Sequence, residues 1–278
     1  MKKNKIVILG CGESGIGSSL LGLKNGYDVF VSDSGIIKEK YKNILNINKI
    51  NWEESIHNEN KLIDAEFVIK SPGISNNSNI IKFLKKNKIP VISEIEFAYK
   101  YTDAKLICIT GTNGKTTTST LIYKILKDFG YNVGLAGNIG NSFSEQVANE
   151  NYDYYVLEIS SFQLEDINDF KPYIAVITNI SNDHLDHYNN NFEKYLATKL
   201  KIFMNQSEDN FLVYNSDDKI LKESIENENI KSSLFEFGFK EKKQGTYFKN
   251  DKIISKKKTT IMINSSDFTL KGRHNLLN

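Results

Sequence analysis

The sequence predicts an α/β protein with a Rossmann-like parallel-sheet domain, followed by a P-loop-type α/β ATPase domain with an added small β region. Two apolar runs, Ile6–Leu9 and Leu106–Ile109, each precede a turn rich in glycine. Continuous apolar runs of this kind are typical of parallel strands that are buried on both faces. Between residues 244 and 270 the pattern changes to short β segments, with a hairpin turn at 249–251.

The composition is that of an ordinary globular protein. The chain has 278 residues, of which 40% are hydrophobic and 25% charged, and its net charge is +2. So mild a charge does not indicate nucleic acid binding, which usually requires a concentrated basic stripe. We find no secretory signal and no apolar stretch of about 20 residues, so we expect a cytoplasmic enzyme with no membrane segment. Cys11 and Cys108 are expected to be small core residues.

The first domain is predicted to span residues 1–93 and to bind a nucleotide. A complete G-x-G-x-x-G motif, Gly10 to Gly15, separates the first strand from a helix. Asp33 ends the next strand 18 residues after Gly15, where a carboxylate would meet a ribose hydroxyl. A further strand ends at the turn 71–74, where open sheets bind ligands, although a purely structural turn explains that pattern equally well. NAD and a UDP-sugar are both compatible with these features.

The second domain is predicted to span residues 94–278 and to contain a phosphate loop. The run from Ile109 to Thr118 lies between a strand and a helix, so its backbone amides and the helix N-terminus favour an anion. Lys115 supplies a charge for the β- and γ-phosphates, and the Thr116 hydroxyl is suited to Mg²⁺. Ile109 replaces the first glycine of the common pattern, which leaves a simple strand–helix turn as the alternative.

Two further strands are predicted to end at the edge of the sheet that holds the phosphate loop. One leads into Glu158, and the other leads into the segment that carries His184. A carboxylate suits Mg²⁺, and a neutral histidine could occupy a second metal position. The alternatives are a solvated carboxylate for Glu158 and a turn residue bonded to Asp186 for His184.

The remaining segments are predicted from periodicity. Residues 94–101 are expected to form a partly buried connecting helix, and another helix begins near Phe192. Lys199 lies in that second helix, where a lysine is usually at the surface. The Asn- and Lys-rich stretches 39–61 and 221–231 are predicted to be surface connections.

Taken together, the motifs resemble those of the Mur ligase family, whose members are ATP-dependent amide-forming enzymes of peptidoglycan synthesis. The resemblance covers the whole chain and rests on Thr110–Thr117, Gly137–Gly140, Glu158–Glu165, Asn182–Asp186 and Gly272–Asn278. The phosphate loop without its first glycine is the family's own form. Within the family, Ser160–Leu164 is most similar to the members that add D-glutamate.

The resemblance implies an ATP site, a UDP-substrate site and two Mg²⁺ ions. Lys115, His184 and Lys199 would be catalytic, with Lys199 converted by CO₂ to a carbamate that can ligate a metal. The implied ATP-binding residues are Gly111, Thr112, Asn113, Gly114, Lys115, Thr116, Thr117 and Asn275. The implied substrate-binding residues are Glu13, Ser14, Asp33, Ser34, Ser71, Gly73, Asn138, Ser160 and His184, and the implied metal ligands are Thr116, Glu158, His184 and Lys199.

The resemblance also implies a reaction, in which D-glutamate is added to UDP-N-acetylmuramoyl-L-alanine through an acyl phosphate. The family's third domain carries the glutamate site, so we expect these 278 residues to be a truncated, monomeric ligase that binds its UDP substrate without completing ligation. Three alternatives stay open: another family member such as the L-alanine-adding enzyme, an NAD-dependent dehydrogenase and a non-catalytic nucleotide-binding protein.

Overall fold

The computed structural model describes residues 4–242, 244–257, 259–267, 272 and 275–277. The chain divides into two compact units, each with its own β-sheet. The first unit comprises Met1–Ala104, Ala136–Tyr152 and Ser161–Phe170. The second comprises Lys105–Leu135, Asp153–Ser160 and Lys171–Asn278.

Strands and helices alternate along most of the chain. The strands are β1 (Lys5–Leu9), β2 (Asp28–Ser32), β3 (Asn51–Glu53), β4 (Phe67–Lys70), β5 (Val91–Ser93), β6 (Lys105–Thr110), β7 (Val133–Gly137), β8 (Tyr154–Glu158), β9 (Ile174–Ile177), β10 (Phe211–Asn215), β11 (Ser233–Gly238), β12 (Gly245–Lys249), β13 (Lys252–Lys256) and β14 (Thr260–Asn264). The α-helices are α1 (Glu13–Lys24), α2 (Glu39–Ile47), α3 (Glu59–Leu62), α4 (Asn79–Lys86), α5 (Glu94–Tyr99), α6 (Lys115–Asp128), α7 (Phe143–Asn149), α8 (Ser161–Leu164), α9 (Phe192–Leu200) and α10 (Lys219–Glu226). Two 3₁₀ turns occupy Lys201–Phe203 and Ser265–Asp267.

The first unit is built on a five-stranded parallel sheet with the strand order β3-β2-β1-β4-β5. The central strand β1 is apolar and almost completely buried, as expected of a strand covered on both faces. One hydrophobic cluster joins the sheet to α4, and it includes Val7, Leu9, Ile81 and Leu84. Helix α1 follows β1 and packs against α7 within this unit.

The second unit is built on a nine-stranded sheet with the order β14-β13-β12-β11-β10-β9-β6-β8-β7. The strands from β8 through β6, β9, β10 and β11 to β12 pair in parallel, whereas β12, β13 and β14 form an antiparallel meander. Helix α6 packs on the central strands through Ile122 and Leu126, which meet a cluster that includes Ile107 and Val176. The strand order places the carboxyl ends of β6, β8 and β9 side by side.

Five of the described helices begin at a polar side chain that accepts a backbone N–H bond from the first turn. These side chains are Asn58 before α3, Ser93 before α5, Ser142 before α7, Asn191 before α9 and Asp218 before α10. Such N-caps satisfy donors that have no partner inside the helix. The sequence therefore fixes where several of the helices begin.

The predicted fold class is confirmed, and so is the added β region between residues 244 and 270 in its described part. Two predictions about connections are wrong, because the stretches 39–61 and 221–231 contain helices α2 and α10. Each of these helices has a narrow buried stripe at i,i+4 spacing, formed by Tyr41 and Leu45 in α2 and by Leu221 and Ile225 in α10. Abundant Asn and Lys residues around these pairs obscure the periodicity.

Helix α5 and the two cysteines test the predictions about burial. Helix α5 is more deeply buried than predicted, since Ile95, Phe97 and Ala98 are each inaccessible to solvent. Cys11 and Cys108 are free and buried, as predicted. Among the described residues, no helix is long and apolar enough to cross a membrane.

Candidate functional site

The phosphate loop follows β6 and leads directly into α6. Gly111 and Gly114 have φ angles of +145° and +84°, which glycine adopts without steric cost. A Cβ atom on Gly111 would lie 2.0 Å from Thr178 Oγ1, so the packing of the loop against the segment after β9 also requires glycine. The first N–H groups of α6 have no intrahelical acceptor and lie at the positive end of the helix dipole. The loop is therefore suited to bind an anion.

Polar residues after β9 hold the phosphate loop in place. The main-chain oxygen of Asn179 accepts from the Thr112 N–H, and its side-chain Oδ1 accepts from the Asn113 N–H, both at 2.9 Å. Thr178 Oγ1 donates to the Asn113 carbonyl at 2.6 Å. Because these two loop N–H groups already have acceptors, we expect the backbone contacts to an anion to come from the start of α6.

Two lysine amines converge on one carbonyl oxygen of the loop. Lys199 Nζ donates to the Gly111 carbonyl at 2.8 Å, and Lys115 Nζ donates to the same carbonyl at 3.0 Å. Lys115 also donates to the Thr112 carbonyl at 2.8 Å. Lysine carries three donors and no acceptor, so one backbone oxygen can hold both amines but cannot neutralise them.

A lysine in such a helix usually lies at the surface, but Lys199 is only 2% exposed. Its Nζ lies 4.9 Å from the centre of the Tyr195 ring, whose hydroxyl is 3.0 Å from Thr112 Oγ1. Burial, reinforced by the positive charge of Lys115, lowers the pKa of Lys199 to about 7, although Asp183 opposes this effect. Burial also lowers the pKa of Lys115, against the carboxylates of Glu158 and Asp183.

Thr116 and Glu158 form a pair of oxygen donors beside the loop. Thr116 Oγ1 donates to Glu158 Oε2 at 2.7 Å. Glu158 ends β8 and is 1% exposed, so the alternative of a solvated carboxylate is excluded. A buried carboxylate is costly unless it is paired with donors or a cation, and this one faces the hydroxyl that the sequence predicts to bind Mg²⁺.

The first unit contains a second glycine-rich turn, between β1 and α1. Gly10 has a φ of +87°, and a Cβ atom at this position would lie 2.7 Å from Ser71 Oγ. A Cβ atom on Gly15 would lie 2.0 Å from the Gly10 carbonyl oxygen, so the helix can approach the turn this closely only with glycine there. Ser71 Oγ donates to the Gly10 carbonyl at 3.2 Å. The turn therefore has the close packing that a Rossmann-type motif requires.

Asp33 organises this turn. Its Oδ2 accepts from the Cys11 N–H at 2.6 Å, and its Oδ1 accepts from the Gly35 N–H at 2.8 Å. The carboxylate thus joins the end of β2 to the glycine-rich turn. Ser34 and Gly73 line an open cavity of about 440 Å³ in the same unit. The structure therefore brings together Asp33 and Ser71 around the turn, and Ser34 and Gly73 around one cavity.

Comparison with known protein families covers most of the chain. The family described as the Mur ligase middle domain matches residues 109–278, and the MurD N-terminal domain matches residues 5–80. This chain belongs to the Mur ligase family. The resemblance predicted from its motifs is thereby confirmed.

Two curated relatives and one solved structure show how far the similarity extends. This chain is 46% identical over 276 residues to a protein of Christiangramia forsetii named UDP-N-acetylmuramoylalanine–D-glutamate ligase. It is 45% identical over 275 residues to a protein of the same name from Bacteroides fragilis. Each match covers 99% of this chain and 62% of the relative. The chain therefore spans about three fifths of the length of these relatives.

The solved structure shows the shared fold. It is the UDP-N-acetylmuramate:L-alanyl-γ-D-glutamyl-meso-diaminopimelate ligase of Neisseria meningitides. The TM-score is 0.64 at 17% identity, and the match covers 99% of this chain and 90% of that chain.

His184 lies in a turn that follows β9. Its φ is +49°, its side chain is 55% exposed, and its Nε2 lies 3.5 Å from Asp183 Oδ2. The turn position agrees with the alternative of a turn residue, but the carboxylate 3.5 Å from the ring is that of Asp183, where the alternative expected Asp186. Its assignment as a substrate-binding residue and metal ligand remains a prediction.

The other predicted site residues are distributed over both units. Asn275 lines an apolar cavity of about 600 Å³ in the second unit, together with Ile122 of α6. Ser160 lies two residues after β8, and Asn138 follows β7. Glu13 and Ser14 form the first turn of α1. The ligand-binding roles of these residues stay predictions.

Sequence reasoning missed several residues that shape these sites. Asn179 and Tyr195 brace the phosphate loop, and His57 lines the cavity of the first unit. The polar residues Thr178, Asn179 and Ser181, which come directly after a strand, were a usable signal for Asn179. Nothing in the sequence indicated His57, because its surroundings depend on three strands that are far apart in the chain.

Proposed function

We propose that this chain is the part of a ligase that binds ATP and a UDP substrate. In the complete enzyme, D-glutamate would be joined to UDP-N-acetylmuramoyl-L-alanine in the cytoplasm during peptidoglycan precursor synthesis. Residues 1–93 would bind the UDP substrate, and residues 94–278 would bind ATP. The name shared by the relatives at 46% and 45% identity supports this choice of substrates.

The observation that carries the proposal is the arrangement of four side chains at the phosphate loop. Lys115 and the buried Lys199 share the Gly111 carbonyl, and Thr116 is bonded to the buried Glu158. Hydride transfer by a dehydrogenase does not require these four side chains. Phosphoryl transfer, by contrast, is catalysed mainly by positioning and by charge stabilisation, which lysine amines and a metal at this place would supply.

The residues present fit a first Mg²⁺ ion. Mg²⁺ prefers oxygen ligands, and Thr116 Oγ1 lies 2.7 Å from Glu158 Oε2. Among the described residues, no group of three or more His, Cys, Asp and Glu side chains could hold a metal ion. Phosphate oxygens of ATP and water molecules would supply the further ligands. When bound, Mg²⁺ would neutralise charge that develops on the ATP phosphates.

A second ion would need a new oxygen ligand, which Lys199 can supply as a carbamate. A neutral amine can attack CO₂, and the pKa of Lys199 is lowered to about 7 chiefly by burial. Starting from the neutral amine, the Nζ–C bond forms as one carbon–oxygen π bond of CO₂ breaks, and one proton leaves the nitrogen. The product is a carbamate anion with two oxygen donors. We propose that this carbamate and His184 hold the second Mg²⁺.

In the proposed mechanism, Lys115 stabilises charge on the transferring phosphoryl group. An oxygen of the alanyl carboxylate attacks the γ-phosphorus, the bond from phosphorus to the bridging oxygen breaks, and ADP leaves an acyl phosphate behind. The amine of D-glutamate then attacks the acyl carbon. The amide bond forms, the bond to phosphate breaks and the amine loses a proton.

Calorimetric titration with MgATP tests the role of the phosphate loop. We expect Lys115→Met to weaken MgATP binding by about 10- to 100-fold, because hydrogen bonds to charged groups contribute about 1.5–3 kcal/mol. Lys124→Met is the matched control, since Lys124 lies on the exposed face of the same helix. Equal affinity of the two variants would contradict the proposal.

A further inference from the structure

The cavity in the first unit is lined by more residues than those predicted to bind the substrate. Segments that follow β2, β3 and β4 form its wall, which includes Ser34, His57, Gly73 and Ser78. Ser34 and Gly73 are predicted to bind the UDP substrate. His57 and Ser78 have no role in the function proposed above, although both line the same space.

A hydrogen-bonded chain behind the cavity determines which nitrogen of His57 carries the proton. His57 Nδ1 lies 2.7 Å from Ser32 Oγ, and Ser32 Oγ donates to Glu53 Oε1 at 2.8 Å. Burial opposes the ionisation of Glu53, but hydrogen bonds from the Asn58 N–H, Ser32 and Lys61 together lower its pKa. The carboxylate is therefore ionised and can only accept.

The serine hydroxyl has a single proton, and it donates this proton to the ionised carboxylate at Glu53 Oε1. The Ile56 carbonyl, at 3.4 Å, is a second and longer acceptor. Ser32 Oγ must then accept from His57, so Nδ1 carries the proton. Burial lowers the pKa of His57, against the carboxylates of Asp33 and Glu53, which keeps the ring neutral. Nε2 is therefore left with a lone pair.

The cavity also offers a donor. Ser78 Oγ is buried and has no hydrogen-bond partner among the residues that the structure describes. Its hydroxyl can donate to an oxygen atom of a ligand. The residues that line the cavity thus include a histidine with an acceptor nitrogen and a serine with an unused donor. Uracil has the complementary edge, because its N3–H donor lies between two carbonyl oxygens.

We propose that His57 is a specificity-determining residue that recognises uracil, with its Nε2 accepting the hydrogen bond from uracil N3–H. This inference rests on the proposed function, since it requires a uridine nucleotide in the first unit. Ser32 and Glu53 are positioning residues, because they fix the tautomer without touching the ligand. A base with a lone pair or a methyl group at N3 cannot make this hydrogen bond.

The test measures the binding of UDP and of N3-methyl-UDP to the 278-residue chain by calorimetry at one pH. His57→Phe keeps a ring and removes the acceptor, whereas His57→Gln keeps an acceptor at a similar reach. For the wild-type chain we expect UDP to bind at least about tenfold more tightly than N3-methyl-UDP. His57→Phe should weaken UDP binding about three- to tenfold without weakening N3-methyl-UDP binding, and His57→Gln should restore the difference.

A second readout is measured on the wild-type chain and uses a variant only to assign the resonance. In the wild-type chain labelled with ¹⁵N-histidine, the Nε2 resonance of His57 should shift when UDP is added and stay in place with N3-methyl-UDP. The chain has four histidines, and the resonance that is missing in His57→Gln identifies the right one. A free His57 whose Nε2 is protonated would overturn the proposal.

The outcomes separate this inference from the proposed function. If the wild-type chain binds UDP and His57→Phe leaves the preference over N3-methyl-UDP unchanged, the role of His57 is refuted and the proposed function stands. If the wild-type chain binds NAD and not UDP, both are refuted. A preference that falls in His57→Phe and returns in His57→Gln supports both.

Discussion

The two amines on the Gly111 carbonyl form the feature on which the proposed chemistry most depends. Two ammonium groups held on one oxygen repel each other, and Lys199 is the more buried of the pair. Loss of its proton is the least costly way to relieve that repulsion. A neutral amine is a nucleophile, so the burial of Lys199 gives it a reactivity that exposed lysines lack.

This reactivity predicts a carbamate on Lys199 that can be observed by NMR. With ¹³C-bicarbonate, we expect one carbamate signal, which Lys199→Arg abolishes and Lys194→Arg keeps, since Lys194 is exposed on the same helix. The signal should grow as the pH rises through about 7, because only the deprotonated amine reacts. A signal that survives in Lys199→Arg would refute the assignment.

A second prediction at the scale of one residue concerns the Thr116 hydroxyl and the binding of ATP with Mg²⁺. Thr116→Val keeps the shape of the side chain and removes the donor to Glu158. We expect it to weaken ATP binding about tenfold or more when Mg²⁺ is present and to leave binding without Mg²⁺ unchanged. Thr116→Ser, which retains the hydroxyl, is the control. Equal MgATP affinities for the two variants would show that the hydroxyl is not a ligand.

Among the structural elements, the phosphate loop depends on its packing against the segment after β9. Gly111→Ala places a Cβ atom 2.0 Å from Thr178 Oγ1 at a φ of +145°, so it adds overlap to backbone strain. Gly130→Ala, with a φ of +81° and no atom within 4 Å, adds strain alone. We expect losses in unfolding free energy of about 2–4 kcal/mol for Gly111→Ala and about 1 kcal/mol for Gly130→Ala. Chemical denaturation measures both, and similar losses would contradict the packing described.

Helix α5 carries a carboxyl group that makes stability depend on pH. Glu94 is 1% exposed and accepts a hydrogen bond from the Ser144 N–H of α7. Burial raises the pKa of Glu94 to about 7, although the hydrogen bonds from residues 143 and 144 oppose this effect. The protonated form is favoured in the folded state, so the contribution of Glu94 to stability is complete below pH 4.5 and is lost as the pH rises through about 7.

Glu94→Gln should remove this pH dependence. The amide oxygen can still accept from the Ser144 N–H, and it cannot ionise. We expect the variant to gain about 3 kcal/mol relative to wild type between pH 4.5 and pH 8, as judged from denaturation curves at each pH. A constant difference across that range would mean that Glu94 does not hold its proton in the folded protein.

For the molecule as a whole, the apolar runs and glycine motifs were enough to predict two sheets, although the edge strand β3 lies in the stretch 39–61 that was predicted to be a connection. β1 and β6 are buried on both faces and are followed by turns that only glycine can form, which makes them visible in the sequence. Helices α2 and α10 were missed because each buries only two residues of a polar segment. Segments 136–152 and 161–170 pack in the first compact unit, an arrangement set by contacts distant in sequence.

The sequence predicted the site residues that lie together in one short motif, but not the effects of residues that packing brings together. Lys115 and Thr116 could be assigned because they belong to the loop itself. The burial of Lys199 depends on how α9 packs beside Gly111, 88 residues away in the chain. The lone pair of His57 depends on Ser32 and Glu53, which lie on separate strands. No local pattern contains that information.

The central claim is that the first unit binds a UDP substrate of a ligase, and the most direct test is the melting temperature of this chain. We would measure it with UDP-N-acetylmuramoyl-L-alanine and, separately, with NAD. A ligand at about 100 times its dissociation constant adds about 2.7 kcal/mol, which gives a clear rise in melting temperature. We expect the UDP compound alone to produce this rise. A rise with NAD alone would contradict the ligase proposal and would assign the first unit to a dehydrogenase.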